Sequence, residues 1–374
     1  MDERAYYARL DSTAADPGDL FEHFERRSGG GLTYHALPDA RHGVERGTVV
    51  VPDADAVVRG YPSVPRVLVL DPSVASVFDG RVVVEEKLDG FNVRVAAVDG
   101  DVHAFTRSGH HCPYTTAEAR DRLDPSAFFA DHPERMLCAE LVGPETPYTT
   151  HDYDDVESRA FRVFGVRDRE SGDPLPVAER RDLCEAYGFP QPRAFGRVDP
   201  DAAAEAVRDA VETLDDAGRE GVVLKTPEGD PRAKYTTESQ HHAELAYGSR
   251  LPFDRGREFL FSRAVREAFQ AVEFDEGDDR LRERAHALGE AVLLPMVETI
   301  RDVDAGEPVG ERHTVRGDAD AVEALLDHLR DQSLTLDVES DRREGGERVV
   351  EFLKVAASTR DRTRHYLEGG TWEE

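Results

Sequence analysis

The sequence predicts an α+β protein, in which an antiparallel-sheet core is accompanied by an N-terminal module, a helical segment and a small α/β C-terminal domain. Two patterns carry this prediction. Between residues 66 and 237, runs of apolar and β-branched residues dominate, among them "RVVVEEK", "NVRVAAVDGDVHAFT", "MLCAELVG", "AFRVFGVRD" and "GVVLKT". From residue 238 to about residue 300 the apolar spacing becomes helical, as in "RGREFLFSRAVREAFQAVEF".

These changes of pattern divide the 374 residues into four segments. We predict the N-terminal module over residues 1–65, the core over residues 66–237, the helical segment over residues 238–300 and the C-terminal domain over residues 301–374. The last of these shows the element order β-α-β-β-α. A chain of this length suffices for two or three domains with buried cores.

Local signals predict single elements within these segments. Asp99-Gly100 lies between two arms of alternating apolar residues, which is a strong signal for a β-hairpin. Helices are predicted over residues 19–27, 178–187 and 199–217, and a strand over residues 66–70. His110-His111-Cys112 and His241-His242 are expected in loops, because adjacent side chains do not converge easily on one tetrahedral ion.

The chain is strongly acidic, with 77 Asp and Glu against 47 Lys and Arg and a formal net charge of −30. Its acids are spread through every segment, which predicts a solvated acidic surface and favours a halophilic protein working in concentrated salt. Only three cysteines are present, without a CxxC pair, so no disulfide framework or zinc ribbon is expected. No apolar run is long enough for a bilayer, and we expect a cytoplasmic protein.

Lysine is rare: Lys87, Lys225, Lys234 and Lys354 are the only four, so 47 − 4 = 43 basic residues are arginine. Lys87 interrupts the apolar stretch "VVVEEKLDGFNVRV". Because burying an ammonium is costly, a lysine there is either ion-paired, here with Glu85 or Asp89, or used as a neutral nucleophile.

The stretch "EKLDGFNVR" resembles motif I, KxDG, of the covalent nucleotidyltransferases, which comprise ATP-dependent DNA and RNA ligases and mRNA capping enzymes. Five further stretches resemble later motifs of that superfamily in the correct order: "FTRSG", "CAELVG", "FRVFGVRD", "EGVVLK" and "RAKYTT". The chain is most similar to archaeal homodimeric ATP-dependent RNA ligases of the circularising type. Three features indicate this group: the interval from Gly90 to Arg94, the short "KYTT", and the lack of a five-strand OB-fold pattern after residue 237.

The resemblance implies a ligase-type nucleotidyltransferase fold and an ATP-dependent RNA ligase. Such an enzyme joins 5′-phosphate and 3′-OH RNA ends through lysyl-AMP and RNA-adenylate intermediates, using ATP with Mg²⁺ or Mn²⁺, and would be a homodimer away from membranes. Two alternatives remain open at this stage: another covalent nucleotidyltransferase, either a DNA ligase or a GTP-dependent capping enzyme, and a non-catalytic nucleotide- or RNA-binding protein.

The resemblance also implies roles for single residues. Lys87 is the nucleophile, while Lys225 and Lys234 contact the α-phosphate and the leaving pyrophosphate and lower the pKa of Lys87. Glu140 and Glu220 are candidate metal ligands. The candidate nucleotide-binding residues are Glu85, Glu86, Asp89, Gly90, Asn92, Arg94, Arg107, Glu140, Phe164 and Val223.

Strand alternation refines these roles. Phe164 is expected to stack on adenine opposite Val223, in preference to Phe161, which faces the other side of its strand. Glu85 shares a face with Lys87 and is expected to accept from the base amino group, with Glu86 as the alternative. Arg94 and Arg107 are expected to hold phosphate or ribose.

Two further expectations concern the geometry of Glu220 and the dimer. Glu220 falls on the opposite strand face from Val223 and Lys225, so it reaches the nucleotide only if its strand twists at the start. The helical segment carries more apolar surface than one helix face needs, which predicts a dimer interface. Its apolar residues are Phe259, Leu260, Phe261, Val265, Phe269 and Val272.

Overall fold

The protein is represented by a computed structural model that describes residues 2–147 and 153–371. Its N-terminal part contains two short helices and an antiparallel sheet of order β1-β2-β3-β4. The bounds are α1 Glu3–Arg9, α2 Pro17–Phe21, β1 Glu25–Gly29, β2 Leu32–Ala36, β3 Val49–Val51 and β4 Ala56–Val58. The helix predicted over residues 19–27 is wrong beyond Phe21, because residues 25–29 pair with β2 instead.

The central part contains two four-stranded antiparallel sheets, of orders β7-β6-β8-β9 and β10-β5-β11-β12. The bounds are α3 Leu70–Val77, β5 Val82–Lys87, β6 Phe91–Val98, β7 Asp101–Thr106, α4 Pro113–Arg122, α5 Ser126–Asp131, β8 Arg135–Val142, β9 Ala160–Asp168, α6 Val177–Ala186, β10 Ala194–Val198, α7 Pro200–Asp216, β11 Gly221–Lys225 and β12 Arg232–Thr236. The predicted helices over residues 178–187 and 199–217 are confirmed as α6 and α7.

Two local predictions in this part have opposite outcomes. The β6–β7 hairpin is confirmed, and Asp99 and Gly100 take φ values of 53° and 83°, as its tight turn requires. The strand predicted over residues 66–70 is wrong. Only Arg66 forms an isolated parallel bridge, to Lys234, and α3 already begins at Leu70.

The C-terminal part contains three long helices followed by the predicted β-α-β-β-α order. The bounds are α8 Glu238–Arg250, α9 Arg257–Glu273, α10 Asp278–Asp304, β13 Gly310–Gly317, α11 Ala319–Asp331, β14 Leu336–Glu344, β15 Glu347–Val355 and α12 Ala357–Leu367. His241 and His242 lie on α8, contrary to the expected loop, because Thr237 caps this helix by accepting from the Gln240 backbone N–H.

The sheet β7-β6-β8-β9 is the centre of the packing. One face shares a hydrophobic core with the N-terminal sheet, through residues such as Tyr34, Ala96 and Phe105. The other face packs against α4 and the C-terminal domain, including Val315 and Phe352. The sheet β10-β5-β11-β12 instead packs on α3 and α7. None of the helices in the described ranges combines the length and apolarity needed to cross a lipid bilayer.

Candidate active site

Lys87 ends β5 and pairs in register with Gly221 on β11. Its side chain is 22% exposed, and its Nζ donates to Glu220 Oε2 at 2.5 Å. The sharp turn after it depends on Gly90, since a Cβ there would lie 2.6 Å from the Leu141 carbonyl oxygen and 2.8 Å from Glu140 Cγ. Lys87, directly before this turn, lines a cavity between the two central sheets.

This cavity brings together most of the predicted site residues. Its lining includes Glu85, Glu86, Lys87, Asn92, Arg107, Glu140, Phe164, Val223, Lys225 and Lys234. An adjoining groove on the other side of Lys87 is lined by Asp89, Gly90 and Glu220 among others. Lys87 lines both depressions, so it lies at their junction.

The electrostatic surroundings of Lys87 differ from the expected ones. Burial acts to lower the pKa of Lys87, but the carboxylates of Glu220 and Glu140 outweigh it, and the pKa is raised. The predicted repulsion between Lys234 and Lys87 is present, but the net shift of the Lys87 pKa is upward. The neighbouring acidic side chains hold Lys87 in its charged form.

Lys225 is fixed at the floor of the cavity by a buried ion cluster. Its Nζ donates to Glu85 Oε2 at 2.9 Å and to the Phe164 carbonyl oxygen at 3.0 Å. Glu85 also accepts from Arg180 and, at 2.9 Å, from Arg181. Burial opposes the ionisation of Glu85, but Lys225 and Arg180 overcome it and lower the pKa of Glu85 to about 2.

The expected role of Glu85 at the base amino group conflicts with this arrangement. Its carboxylate is 1% exposed and already accepts from three cationic side chains. Glu86, the alternative, is half-buried at the same cavity, and burial raises its pKa. Glu85 thus positions Lys225, and Glu86 is the less buried of these two acids at the cavity.

Three carboxylates gather near the Lys87 ammonium: Asp89, Glu140 and Glu220. Asn92 Nδ2 donates to Glu140 Oε2 at 3.3 Å. Burial raises the pKa of Glu140 to about 8, with Glu220 adding to the rise and Lys87 opposing it. Carboxylate oxygens are the ligands that Mg²⁺ and Mn²⁺ prefer, and such a cation would neutralise the negative charges of these three side chains.

Glu220 reaches Lys87 because the backbone is unusual at the next residue. Gly221 has φ +142°, and a Cβ there would lie 2.3 Å from the Tyr235 carbonyl oxygen. Only glycine is compatible with this position. The twist required by the sequence argument is therefore present: Glu220 faces Lys87, while Val223 and Lys225 line the cavity.

Phe164 enters the cavity through a β-bulge. Cys138 pairs with Gly165 and Ala139 with Val163, so Phe164 is the extra residue on β9 and is re-aimed by the bulge. Its ring meets Tyr61 edge-on, with centroids 5.2 Å apart. Phe161, by contrast, is 2% exposed within the core. The placement agrees with the preference for Phe164.

Tyr61 and Arg66, which the sequence analysis did not select, line the cavity and the groove respectively. Arg94, which it did select, lies outside the site. Arg94 is fully buried and donates at 2.7 Å to the carbonyl oxygens of Arg59 and Thr106, so it joins the N-terminal module to the core. Its expected contact with phosphate or ribose is wrong, because the chain around Gly47 covers it. Arg107 is exposed and lines both depressions, and its contact with phosphate stays a prediction.

In the described ranges, one group of side chains has its possible ligand atoms within 4.8 Å of one another: Glu238, His242 and Glu267. Arg284 contacts both of its carboxylates, at 2.8 Å and 2.5 Å. A guanidinium thus already pairs with both carboxylates of this cluster. His110-His111-Cys112 lies in a loop as predicted, with His111 Nε2 3.2 Å from His103 Nδ1.

Two antiparallel sheets, with Lys87 where a cavity meets a groove, form the arrangement expected of a ligase-type nucleotidyltransferase. The family described as RNA ligase matches residues 80–236, and the one described as the Ligase Pab1020 C-terminal region matches residues 247–370. Uncharacterized protein MJ0414 of Methanocaldococcus jannaschii is 40% identical over 342 residues, which cover 88% of this chain and 86% of that protein.

Solved structures agree with these matches. Two forms of an archaeal ATP-dependent RNA ligase are 38% identical, with TM-scores of 0.93 and 0.92 and complete coverage of both chains. A putative ATP-dependent DNA ligase from Aquifex aeolicus is 25% identical at a TM-score of 0.87, covering 94% of this chain and 97% of that one. The protein belongs to the archaeal ATP-dependent RNA ligase family.

Proposed function

We propose that this protein is an ATP-dependent RNA ligase that joins 5′-phosphate and 3′-OH RNA ends through lysyl-AMP and RNA-adenylate. The observation that carries the proposal is the position of Lys87 at the junction of the two depressions. An adenosine in the cavity, between Phe164 and Val223, brings its α-phosphate to the lysine. The remaining phosphates, and later the RNA end, then extend into the groove.

The first chemical requirement is a neutral Lys87 amine. Glu220 lies 2.5 Å from Nζ, and burial raises the pKa of Glu220, so this carboxylate is placed to take the proton. A divalent cation held by Glu140 and Asp89 would supply positive charge against the carboxylates and the α-phosphate. The freed amine then attacks the α-phosphorus, and the bond to pyrophosphate breaks.

Two other lysines complete the proposed catalytic set. Lys225, held by Glu85 and the Phe164 carbonyl oxygen, directs its charge at the cavity floor, where it stabilises charge developing on the α-phosphate. Lys234 pairs in register with Val223, and burial, with Arg66 next, lowers the pKa of Lys234 to about 8. An anionic ligand beside Lys234 would raise this pKa and keep the amine charged at higher pH.

The decisive test compares two lysine substitutions in a labelling experiment with α-phosphate-labelled ATP and GTP. Lys87→Arg keeps the charge but has no neutral nucleophile, so we expect no covalent label with the fold intact. Lys354→Arg is the matched control, because Lys354 pairs with Glu311 on the C-terminal domain. We expect this variant to label from ATP as the unmodified protein does.

The other outcomes separate the alternative functions. Label from GTP would favour a capping enzyme, and no label from either nucleotide would favour a non-catalytic binding protein. Label on Lys87→Arg would assign the nucleophile to another residue. With a linear 5′-phosphate RNA, a product resistant to exonuclease would support the proposed circularising reaction, and longer linear products would favour joining between molecules.

We also propose a homodimer formed through α9 and α10. Of the predicted apolar residues, Phe261 and Val272 are 68% and 82% exposed, and Leu293 on α10 is 61% exposed. Phe259, Leu260 and Val265 are half-buried within the chain. A charge within this exposed apolar surface should separate the subunits. Val272→Asp should therefore give a monomer by light scattering, and a monomeric unmodified protein would refute the proposal.

A further inference from the structure

The groove beside Lys87 concentrates positive charge in a protein of net charge −30. Six basic residues line it, against four acidic ones: Arg66, Lys87, Arg107, Lys234, Arg263 and Arg266. Glu220 is paired with Lys87, and Glu244 with Arg263 and Arg266 at 2.6 and 3.1 Å. Within the described ranges, Arg66, Arg107 and Lys234 have no carboxylate within ion-pair distance.

Hydrogen bonds place the segments that carry Arg66, Arg263 and Arg266 around this groove. The Lys234 backbone N–H donates to the Pro65 carbonyl oxygen at 2.9 Å, and the Val67 N–H donates to the Lys234 carbonyl oxygen at 3.0 Å, so Arg66 is fixed beside Lys234. On α9, Gln270 Nε2 donates to the Thr236 carbonyl oxygen at 3.1 Å and ties this helix to β12. Two segments about 200 residues apart thus present arginines to one space.

The arginines also repel one another. Burial lowers the pKa of Arg266 to about 10, and the charge of Arg66 is the next contribution. Burial likewise lowers the pKa of Arg66. Arg284 provides the contrast, because this buried arginine contacts three carboxylates. Glu244 supplies one negative charge to Arg263 and Arg266, so an anionic ligand between these two arginines and Arg66 would be stabilised.

We propose that Arg66, Arg263 and Arg266 form the subsite for the phosphate group that lies opposite Lys87 across the α-phosphorus. Phosphoryl-type transfer is in line, so entering and leaving groups take opposite positions. When Lys87 attacks, the N–P bond forms and pyrophosphate leaves with the electron pair. When the RNA 5′-phosphate oxygen attacks, the N–P bond breaks and Lys87 takes up a proton. Pyrophosphate and the RNA end therefore occupy one position in turn.

The test rests on the proposed function and uses isolated lysyl-AMP enzyme. Pyrophosphate should convert it back to ATP, and 5′-phosphate RNA should convert it to RNA-adenylate; the half-saturating concentration of each is measured. In Arg66→Gln and Arg266→Gln we expect both values to rise about tenfold or more, the cost of a charge-assisted hydrogen bond to phosphate. Arg282→Gln is the charge-matched control, because Arg282 is 73% exposed on α10.

Each outcome is decisive. A rise for only one of the two ligands, or for neither, would overturn the shared subsite. RNA with a 5′-OH should inhibit the unmodified and variant enzymes equally, since it lacks the phosphate; a weaker inhibition of the variants would overturn the assignment to phosphate. If Arg66→Gln takes up no label, Arg66→Lys, which keeps the charge, undergoes the same titrations. An unmodified protein that takes no label from ATP would refute the proposed function instead.

Discussion

Glu140→Gln tests whether the ionised Glu140 carboxylate destabilises the folded protein in the absence of ligands. The substitution preserves the size of the side chain and a partner for Asn92 but removes the ionisable group. The pKa of Glu140 is about 8, against an ordinary 4.5, a difference of 8 − 4.5 = 3.5. At about 1.4 kcal/mol per unit, the limit is about 5 kcal/mol. Because water reaches this half-buried group, we expect about 2 kcal/mol.

The sign follows from proton binding. Above about pH 4.5 the unfolded chain releases the Glu140 proton while the folded protein keeps it, so the stability of the unmodified protein falls with rising pH until about pH 8. Glu140→Gln lacks this loss. The free energy of unfolding should therefore be similar for the two proteins near pH 5, and the variant should exceed the unmodified protein by an increasing amount up to about pH 8.

Urea unfolding at a fixed high KCl concentration, without nucleotide or metal, measures this difference. Adding Mg²⁺ or Mn²⁺ above about pH 8 should reduce it, because a cation on Glu140 stabilises only the protein that keeps the carboxylate. A stability difference that does not change between about pH 5 and about pH 9 would refute the reasoning.

Three other outcomes are expected. Phe164→Ala should raise the KM for ATP about tenfold, because stacking on a base contributes about 1–3 kcal/mol. Phe164→Trp should leave this KM unchanged, because it keeps an aromatic ring. Equal adenylation kinetics for the unmodified protein and both variants would exclude stacking. Gly221→Ala should lower the free energy of unfolding, measured in urea, by at least about 2 kcal/mol, because an added Cβ has no room there. Gly218→Ala should lower it less, because Gly218 has φ +62° but nothing within 4 Å of an added Cβ. Equal losses for the two variants would contradict this reasoning. The melting temperature and the rate of adenylation should both be higher at about 1 M than at about 0.1 M KCl, because salt screens the repulsion among the acidic side chains. A melting temperature and a rate that are both highest at the lowest salt would refute a halophilic surface.

The sequence by itself was sufficient wherever the relevant forces act within a few residues. The Asp99-Gly100 turn, the helices α6 and α7 and the order of the C-terminal elements follow from backbone preferences and side-chain periodicity, which are local. The proposed nucleophile was visible for a chemical reason, because lysine is retained where arginine lacks the required neutral form. Strand alternation also predicted the twist beside Glu220, whereas the bulge that turns Phe164 into the cavity is visible only in the strand pairing.

Only the tertiary structure decided how the charged side chains are used. Arg94 lies in the motif and looks available for phosphate, yet chain from the N-terminal module covers it. Glu85 looks available for a base, yet Arg180, distant in sequence, engages its carboxylate. Arg66 and Arg266 are unremarkable in a chain of 43 arginines until folding brings them to one groove. Burial and pairing depend on residues far along the chain, and no local pattern encodes them.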